Sequence, residues 1–275
     1  MTAPLLLGAV AYDPKVVTIW DGFRTWLRER DFEFDYVLYS NYEHQVEDLV
    51  NGRIDVAWNS PLAWVRARRM APSAMALVMR DTDRDLTSVI VVRSDSPIST
   101  IEELSGKTVG TGAVDSPQAT LIPLALVGDT RVDVRRFDVG VGLHGDHIGG
   151  ERDAARALAA GEVDAVCMID ANHLLFAKEG ILPAGSTRIV AQTPPYDHCT
   201  MTAGPTADAD LVEAFRELLL GMSYADRELR PLLDLEGLHE WRPARLTGYQ
   251  QLEDAVEETG FYDATGKIGA SDYRP

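Results

Sequence analysis

The chain has 275 residues, 45% of them hydrophobic and 25% charged, enough apolar material for one large or two ordinary globular domains and too much for a disordered chain. Its 26 basic and 43 acidic residues leave a formal charge of −17, a field that repels nucleic acid and anionic membrane, so neither is expected as a partner. No apolar run approaches the ~20 residues of a membrane span, so no membrane insertion is expected.

Residues 5–11 form a continuous apolar run, as a strand buried on both faces requires. The first residues carry no basic segment ahead of that run. The expectation is therefore a cytoplasmic protein, or a periplasmic or extracellular one if a leader has been trimmed. Cys167 and Cys199 are too few for a disulfide framework. Tyr12, Asp13 and Pro14 end the first strand, and a helix over 15–29 carries Val16, Ile19, Trp20, Phe23 and Leu27 at the 3.6-residue period. A second strand spans 34–39. Ser40 or Asn41 then caps a helix over 42–50 that Gly52 stops. A third strand, 54–58, leads through Asn59, Ser60 and Pro61 into a helix over 62–70. Further strands are expected at 75–79 and 88–93. Strands alternating with helices at this spacing predict an open, mostly parallel α/β sheet, with ligands beyond the carboxyl ends of the strands. The loops at Tyr12–Asp13, 40–42 and 59–61 all fall there.

The pattern restarts after Arg93: a strand at 108–110, a loop with Asp115, a helix opened by Ser116 and Pro117, and a strand at 134–138. Residues 140–173 then carry a glycine-rich loop with His144, Asp146, His147 and Glu151, a helix, a turn at Gly161, a buried strand, and a polar cluster of Asp170, Asn172 and His173. This unit repeats an earlier one. In both, a helix ends at a glycine (Gly52, Gly161), an aspartate opens a buried strand (Asp55, Asp164), and a polar loop follows, which predicts two similar lobes. After a strand at 189–191 the chain is helical at 207–223, 225–235 and 249–259. These helices are expected to pack on the first lobe, with a loosely held tail from Tyr262.

Asn41-Tyr42, the run from Gly52 to Trp58, Ser94 to Pro97, Thr111-Gly112 with Asp115, Ser116 and Pro123, and the unit ending at Asp164 together resemble the type-2 periplasmic-binding-protein fold. More narrowly they are similar to the substrate-binding proteins of phosphate, phosphite and phosphonate ABC transporters. The resemblance implies two lobes, each an open mostly parallel sheet flanked by helices, joined by two crossing strands. Lobe one would hold residues 1–92 and 200–275, and lobe two 93–199. Ligand would lie between them, with hinge closure near Arg93 and Gln192. Two departures stand out. Glu151 occupies the place of the family's phosphonate-contacting histidine. Pro117, with no N–H to donate, replaces a hydroxyl residue at the anion-binding helix start. A carboxylate there suits a ligand with an ammonium or other donor better than a dianion.

Two functions are carried forward. The first is binding of a small polar organic ligand by Tyr12, Asp13, Tyr42, Asn59, Ser60, Asp115, Ser116, Gln118, His144, His147, Glu151, Asp170 and His198, with a transporter permease as partner if the protein is exported. The alternative is an enzyme on the same scaffold, as in the chorismate dehydratases and thiamine-pyrimidine synthases that this fold resembles, with Glu151, His147, His173 and Asp170 as acid or base. No cofactor is firmly implied. A divalent metal is a possibility, with His144, Asp146, His147 and Glu151 as ligand types but no established spacing. His198 beside Cys199 suggests a thiolate pair, but strand neighbours point to opposite faces, which argues against it.

Overall fold

The computed structural model describes residues 4–138 and 147–275. The first half alternates as expected: β1 (Leu5–Val10), α1 (Lys15–Arg28), β2 (Phe34–Tyr39), α2 (Tyr42–Val50), β3 (Val56–Asn59), α3 (Pro61–Met70) and β4 (Met75–Arg80). The second unit holds β5 (Ser88–Arg93), β6 (Thr108–Thr111), a π-helical turn at Pro117–Leu121 running into α4 (Ile122–Val127), β7 (Asp133–Arg136), α5 (His147–Ala159), β8 (Ala165–Ile169), α6 (Asp170–Lys178) and β9 (Thr187–Gln192). The chain returns through β10 (Thr200–Ala203), α7 (Ala209–Leu220), α8 (Arg230–Glu236), β11 (Trp241–Pro243) and α9 (Gln250–Thr259).

Two sheets result, in the orders β11-β4-β10-β3-β1-β2 and β7-β6-β8-β5-β9. Both are mixed. The expected parallel pairing holds for β2-β1-β3 and β7-β6-β8, while β10, β11 and β5 pair antiparallel with their neighbours. β5 and β10 follow the two crossings and β11 adds an edge strand after α8, returns that a reading of helix–strand alternation does not anticipate. β5 belongs wholly to the second sheet. The sheets therefore change over at 81–87 and 193–199, upstream of the expected crossing near Arg93. There Leu86 and Tyr196 exchange backbone hydrogen bonds at 2.8 Å, and Thr193 N–H donates to Ser88 O at 2.9 Å.

The repeated unit is realised alike in both lobes. Gly52 and Gly161 adopt φ of +68° and +75°, which favours glycine. The Asp55 carboxylate accepts Leu6 N–H at 2.8 Å and the Asp164 carboxylate accepts Thr108 N–H at 2.9 Å. Each aspartate thereby ties its own strand to the edge of a neighbour. Asn41 caps α2 through His44 N–H, Ser60 caps α3 through Ala63 N–H, and Ser116 caps the turn at Pro117 through Ala119 N–H.

The largest core lies in lobe one, where the α1 stripe of Val16, Ile19, Trp20, Phe23 and Leu27 meets α7, α8 and Trp241. The lobe-two sheet is covered on both faces. A further core joins the lobes: Trp64 and Val65 of α3, Leu121 and Ile122 at α4, and Tyr249, Leu252, Val256, Phe261, Tyr262 and Tyr273 of the C-terminal segment. α7 and α8 pack on the first lobe. α9 bridges α3 and α4. The tail is not loose, since Phe261, Tyr262 and Tyr273 are all buried. Apolar rings hold it despite its polar composition.

Candidate functional site

A cavity of about 250 Å³ lies between the lobes. Lobe one contributes Tyr12 after β1, Tyr42 and Glu43 at the start of α2, Trp58 and Ser60 at the end of β3, and Arg80 at the end of β4. These are carboxyl ends of strands, where the topology places ligands. Lobe two contributes Asp115, Pro117 and Gln118, and the second crossing contributes His198 and Cys199. The tail supplies Tyr262 and Tyr273, and Lys15 borders the cavity from α1.

Arg80 is the centre of the charged wall. Its Nε and Nη2 donate to Asp83 at 2.6 and 3.0 Å, and its Nη1 donates to Glu236 O at 2.8 Å. The guanidinium also lies 5.3 Å from the centre of the Trp58 ring. Burial works against ionisation of Asp83, but Arg80 and His198 overcome it and hold this carboxyl near 2. Glu236 shows the opposite balance. Burial dominates and raises it to about 7, because Arg80 spends its nearest nitrogens on Asp83 and reaches Glu236 Oε1 only at 3.5 Å. His198 Nδ1 lies 3.1 Å from Cys199 Sγ and 3.5 Å from Asp83 Oδ1. Burial disfavours the imidazolium, yet the Cys199 sulfur and the Asp83 carboxylate raise His198 to about 10. Arg80 and His198 are thus cationic at neutral pH, both beside the Asp83 carboxylate.

The α3 start adds a donor. Pro61 has no N–H, Ala63 N–H is taken by Ser60 Oγ at 3.2 Å, and Trp64 N–H bonds Ser60 O at 2.9 Å. Leu62 N–H, at the second helical position, has no acceptor within the helix and belongs to a residue of the cavity wall.

The candidates from sequence divide. Tyr12, Tyr42, Ser60, Asp115, Gln118 and His198 line the cavity. Asn59 and Ser116 sit just behind it, fully buried. Asn59 accepts from Gln45 and Ser116 caps its helix. Asp13 is exposed and accepts Lys15 N–H. Asp170 accepts the Thr87 hydroxyl at 2.8 Å beside the first crossing, and His173 pairs with Thr187 on β9. Burial lowers the His173 pKa. Neither lines the cavity.

Glu151 is a correction. It is wholly buried on α5, and its Oε2 accepts Ile169 N–H at 3.0 Å and Asn172 Nδ2 at 2.8 Å. It closes the N-terminal end of α6 rather than facing ligand. His144 and Asp146 lie outside the described residues, as does the His147 side chain, so the candidate metal set falls there except for Glu151. Asp83, His198 and Cys199 do place donor atoms within 4.8 Å of one another. Arg80 on both Asp83 oxygens and a protonated His198 make that set a poor cation site. The His198–Cys199 contact also corrects the strand-alternation argument, because both residues precede β10.

Arg80, Glu43, Tyr262 and Tyr273 were missed. Arg80 ends an otherwise apolar strand. The other three meet only through the tail, at sequence separations of 219 and 230 residues.

Two α/β lobes joined by two crossing segments, with a cavity between them, make a two-lobed binding-protein fold. A family model described as ABC transporter, phosphonate, periplasmic substrate-binding protein matches residues 9–249, and the chain belongs to that family. The probable ABC transporter phosphite-binding protein PhnD1 of Prochlorococcus marinus (strain MIT 9301) is 22% identical over 242 residues, 82% of this chain and 79% of the relative. Its structure in complex with methylphosphonate superposes with a TM-score of 0.69 at 18% identity, covering 94% of this chain and 98% of that one. XAC2383 from Xanthomonas citri, solved bound to ATP, gives a TM-score of 0.71 at 19% identity over 94% and 98% of the chains. The aliphatic sulphonate binding protein SsuA of Escherichia coli gives 0.63 at 17%, over 98% of both.

The expectation of a cytoplasmic protein is overturned, because the family is one of periplasmic substrate-binding proteins. The enzyme alternative finds no support in this family. Among the described residues no helix is long and apolar enough to cross a membrane.

Proposed function

We infer that the cavity captures a small organic solute bearing an oxyanion and that the loaded protein delivers it to the permease of an ABC transporter. The observation that carries this reading is the pairing of Arg80 and His198, both cationic at neutral pH, on one wall beside the α3 start. A helix start and fixed cations favour an oxyanion together. Membership of the phosphonate-binding family, a relative named for phosphite and a structural neighbour named for aliphatic sulphonates support the same class of head group.

The rest of the wall narrows the solute. Glu43 and Asp115 line the same cavity and would repel a bare dianion, while Tyr12, Tyr42 and Trp58 offer aromatic surface to an organic part. At about 250 Å³ the cavity lies below the roughly 300–1,000 Å³ of sites for drug-sized ligands, so the solute is small.

Isothermal titration calorimetry with methylphosphonate, ethylphosphonate and methanesulfonate tests the reading. One-to-one binding of at least one probe is expected, weakened at least tenfold by His198→Gln. In the unsubstituted protein affinity holds to pH 9 and falls as His198 loses its proton through about 10. No heat with any probe, or binding indifferent to His198→Gln, would overturn it.

A further inference from the structure

We propose that the C-terminal segment beyond the family-matched residues is the specificity wall of the cavity, with Tyr262 and Tyr273 as positioning residues that hold Glu43 against the end of the ligand remote from its oxyanion. The inference rests on the oxyanion reading above. The family match ends at residue 249, and both tyrosines lie past it. Both nevertheless line the cavity. Their hydroxyls donate to one oxygen of Glu43, Tyr273 at 2.7 Å and Tyr262 at 3.3 Å. Glu43 is 4% exposed, so its carboxylate is fixed within the wall rather than sweeping through solvent.

The segment is anchored on both lobes, as a wall between them requires. On lobe one, Arg66 Nε donates to Gly266 O at 3.0 Å and Arg69 Nη1 to Tyr262 O at 2.7 Å. On lobe two, Arg136 pairs with Asp272. Within the segment, Gly269 N–H bonds Phe261 O at 2.9 Å, and Phe261 packs against both tyrosine rings. Two phenols converging on one carboxylate oxygen fix its direction. The solute's far end therefore meets an oriented carboxylate framed by aromatic rings, a surface that favours an ammonium or a hydrogen-bond donor over a methyl group. The oxyanion is held elsewhere, so the tail selects among oxyanion-bearing solutes without being needed to hold their common head.

The test compares ethylphosphonate with 2-aminoethylphosphonate, which differ at the far end only, in the unsubstituted protein and in the doubly substituted Tyr262→Phe/Tyr273→Phe variant. That variant keeps both rings and their packing. The expected result is at least a tenfold preference for the amine, reduced to threefold or less in the variant. An equal affinity for the two probes, or a preference that survives both substitutions, overturns the proposal and leaves the oxyanion reading standing. If neither probe binds, the oxyanion reading falls, and alkylation of Cys199 by N-ethylmaleimide decides the wall by itself. Cys167 is fully buried, and peptide mass mapping assigns the modified thiol. Tyr262→Ala/Tyr273→Ala, checked for folding by circular dichroism, then speeds Cys199 modification at least tenfold if the tail closes the cavity. An unchanged rate in the folded variant overturns the proposal.

Discussion

The two lobes bury charge in opposite ways. In lobe one Arg80 lies between Asp83 and Glu236, and Asp83 also meets His198, a compensated network that forms part of the cavity wall. In lobe two Glu151 is as deeply buried, but its hydrogen-bonding neighbours are the neutral Ile169 N–H, Asn172 and Gln118, with only a weaker pull from the His198 charge. Burial raises it to about 7 against these weaker helpers. The comparison separates two uses of a buried ionisable group. The network maintains charge where a ligand arrives, whereas the lone carboxyl closes a helix end and sits at the edge of ionisation.

Removing Arg80 is the strongest way to break the comparison. Arg80→Met leaves Asp83 ionised and buried with only His198 to oppose it. Loss of one partner of a buried pair costs about 3–5 kcal/mol. Urea unfolding at pH 7 should show a loss of that size. A loss below about 1 kcal/mol would mean that the network is relaxed by solvent.

Glu151→Gln is the converse. The folded value of about 7 lies above the ~4.3 of an exposed glutamate, so the native state binds the proton more tightly than the unfolded one. Wild-type stability from this group is therefore full below pH ~4.3, falls as pH rises towards 7, and is flat above. A glutamine keeps an oxygen for Ile169 and Asn172 and turns an N–H towards Gln118, whose Oε1, like Glu151 Oε1, is buried without a hydrogen-bond partner among the described residues. The variant should exceed wild type by about 3 kcal/mol at pH 8 and by little at pH 4. Equal stabilities at pH 8 would place the proton elsewhere.

These two residues also mark how far the sequence was legible. The helix–glycine–aspartate–strand units could be read because every part is local, and both fold as expected. Tyr12, Tyr42 and Ser60 could be placed because a strand end followed by a polar loop is a local signal too. Arg80 carried no such signal, since its role comes from two crossings that bring Asp83 and His198 together and from a helix more than 150 residues away. Glu151 misled for the reverse reason. Its neighbours His144, Asp146 and His147 suggested a polar loop at a ligand, while the helix face that bears it is packed against α6. Helix phase relative to a distant partner is not encoded in local spacing.

The repeated unit gives a subtler contrast, in which the two lobes should behave alike. Asp55→Ala and Asp164→Ala each remove the carboxylate that accepts a neighbouring strand's N–H, at 2.8 and 2.9 Å. Each should cost about 1–2 kcal/mol in chemical denaturation, with the two values within about 0.5 kcal/mol of each other. A large difference would show that one lobe alone depends on the tie.

At the glycines that precede these aspartates the equivalence should fail by a small amount. Gly52 and Gly161 share a positive φ, so alanine costs roughly 1 kcal/mol at either. Their surroundings differ. A Cβ at Gly161 meets only the end of Arg93, at 3.7 Å, whereas at Gly52 it comes within 2.4 Å of Thr206 Oγ1. Thr206 is exposed and can turn away, so the extra cost is a fraction of a kilocalorie rather than a backbone rearrangement. Gly52→Ala should therefore be slightly more destabilising than Gly161→Ala. Adding Thr206→Ala should bring Gly52→Ala back to the Gly161→Ala value, a coupling that a double-mutant cycle reads directly. If the two glycine variants already match, the Thr206 hydroxyl yields without cost, and the two turns are equivalent in energy as well as in shape.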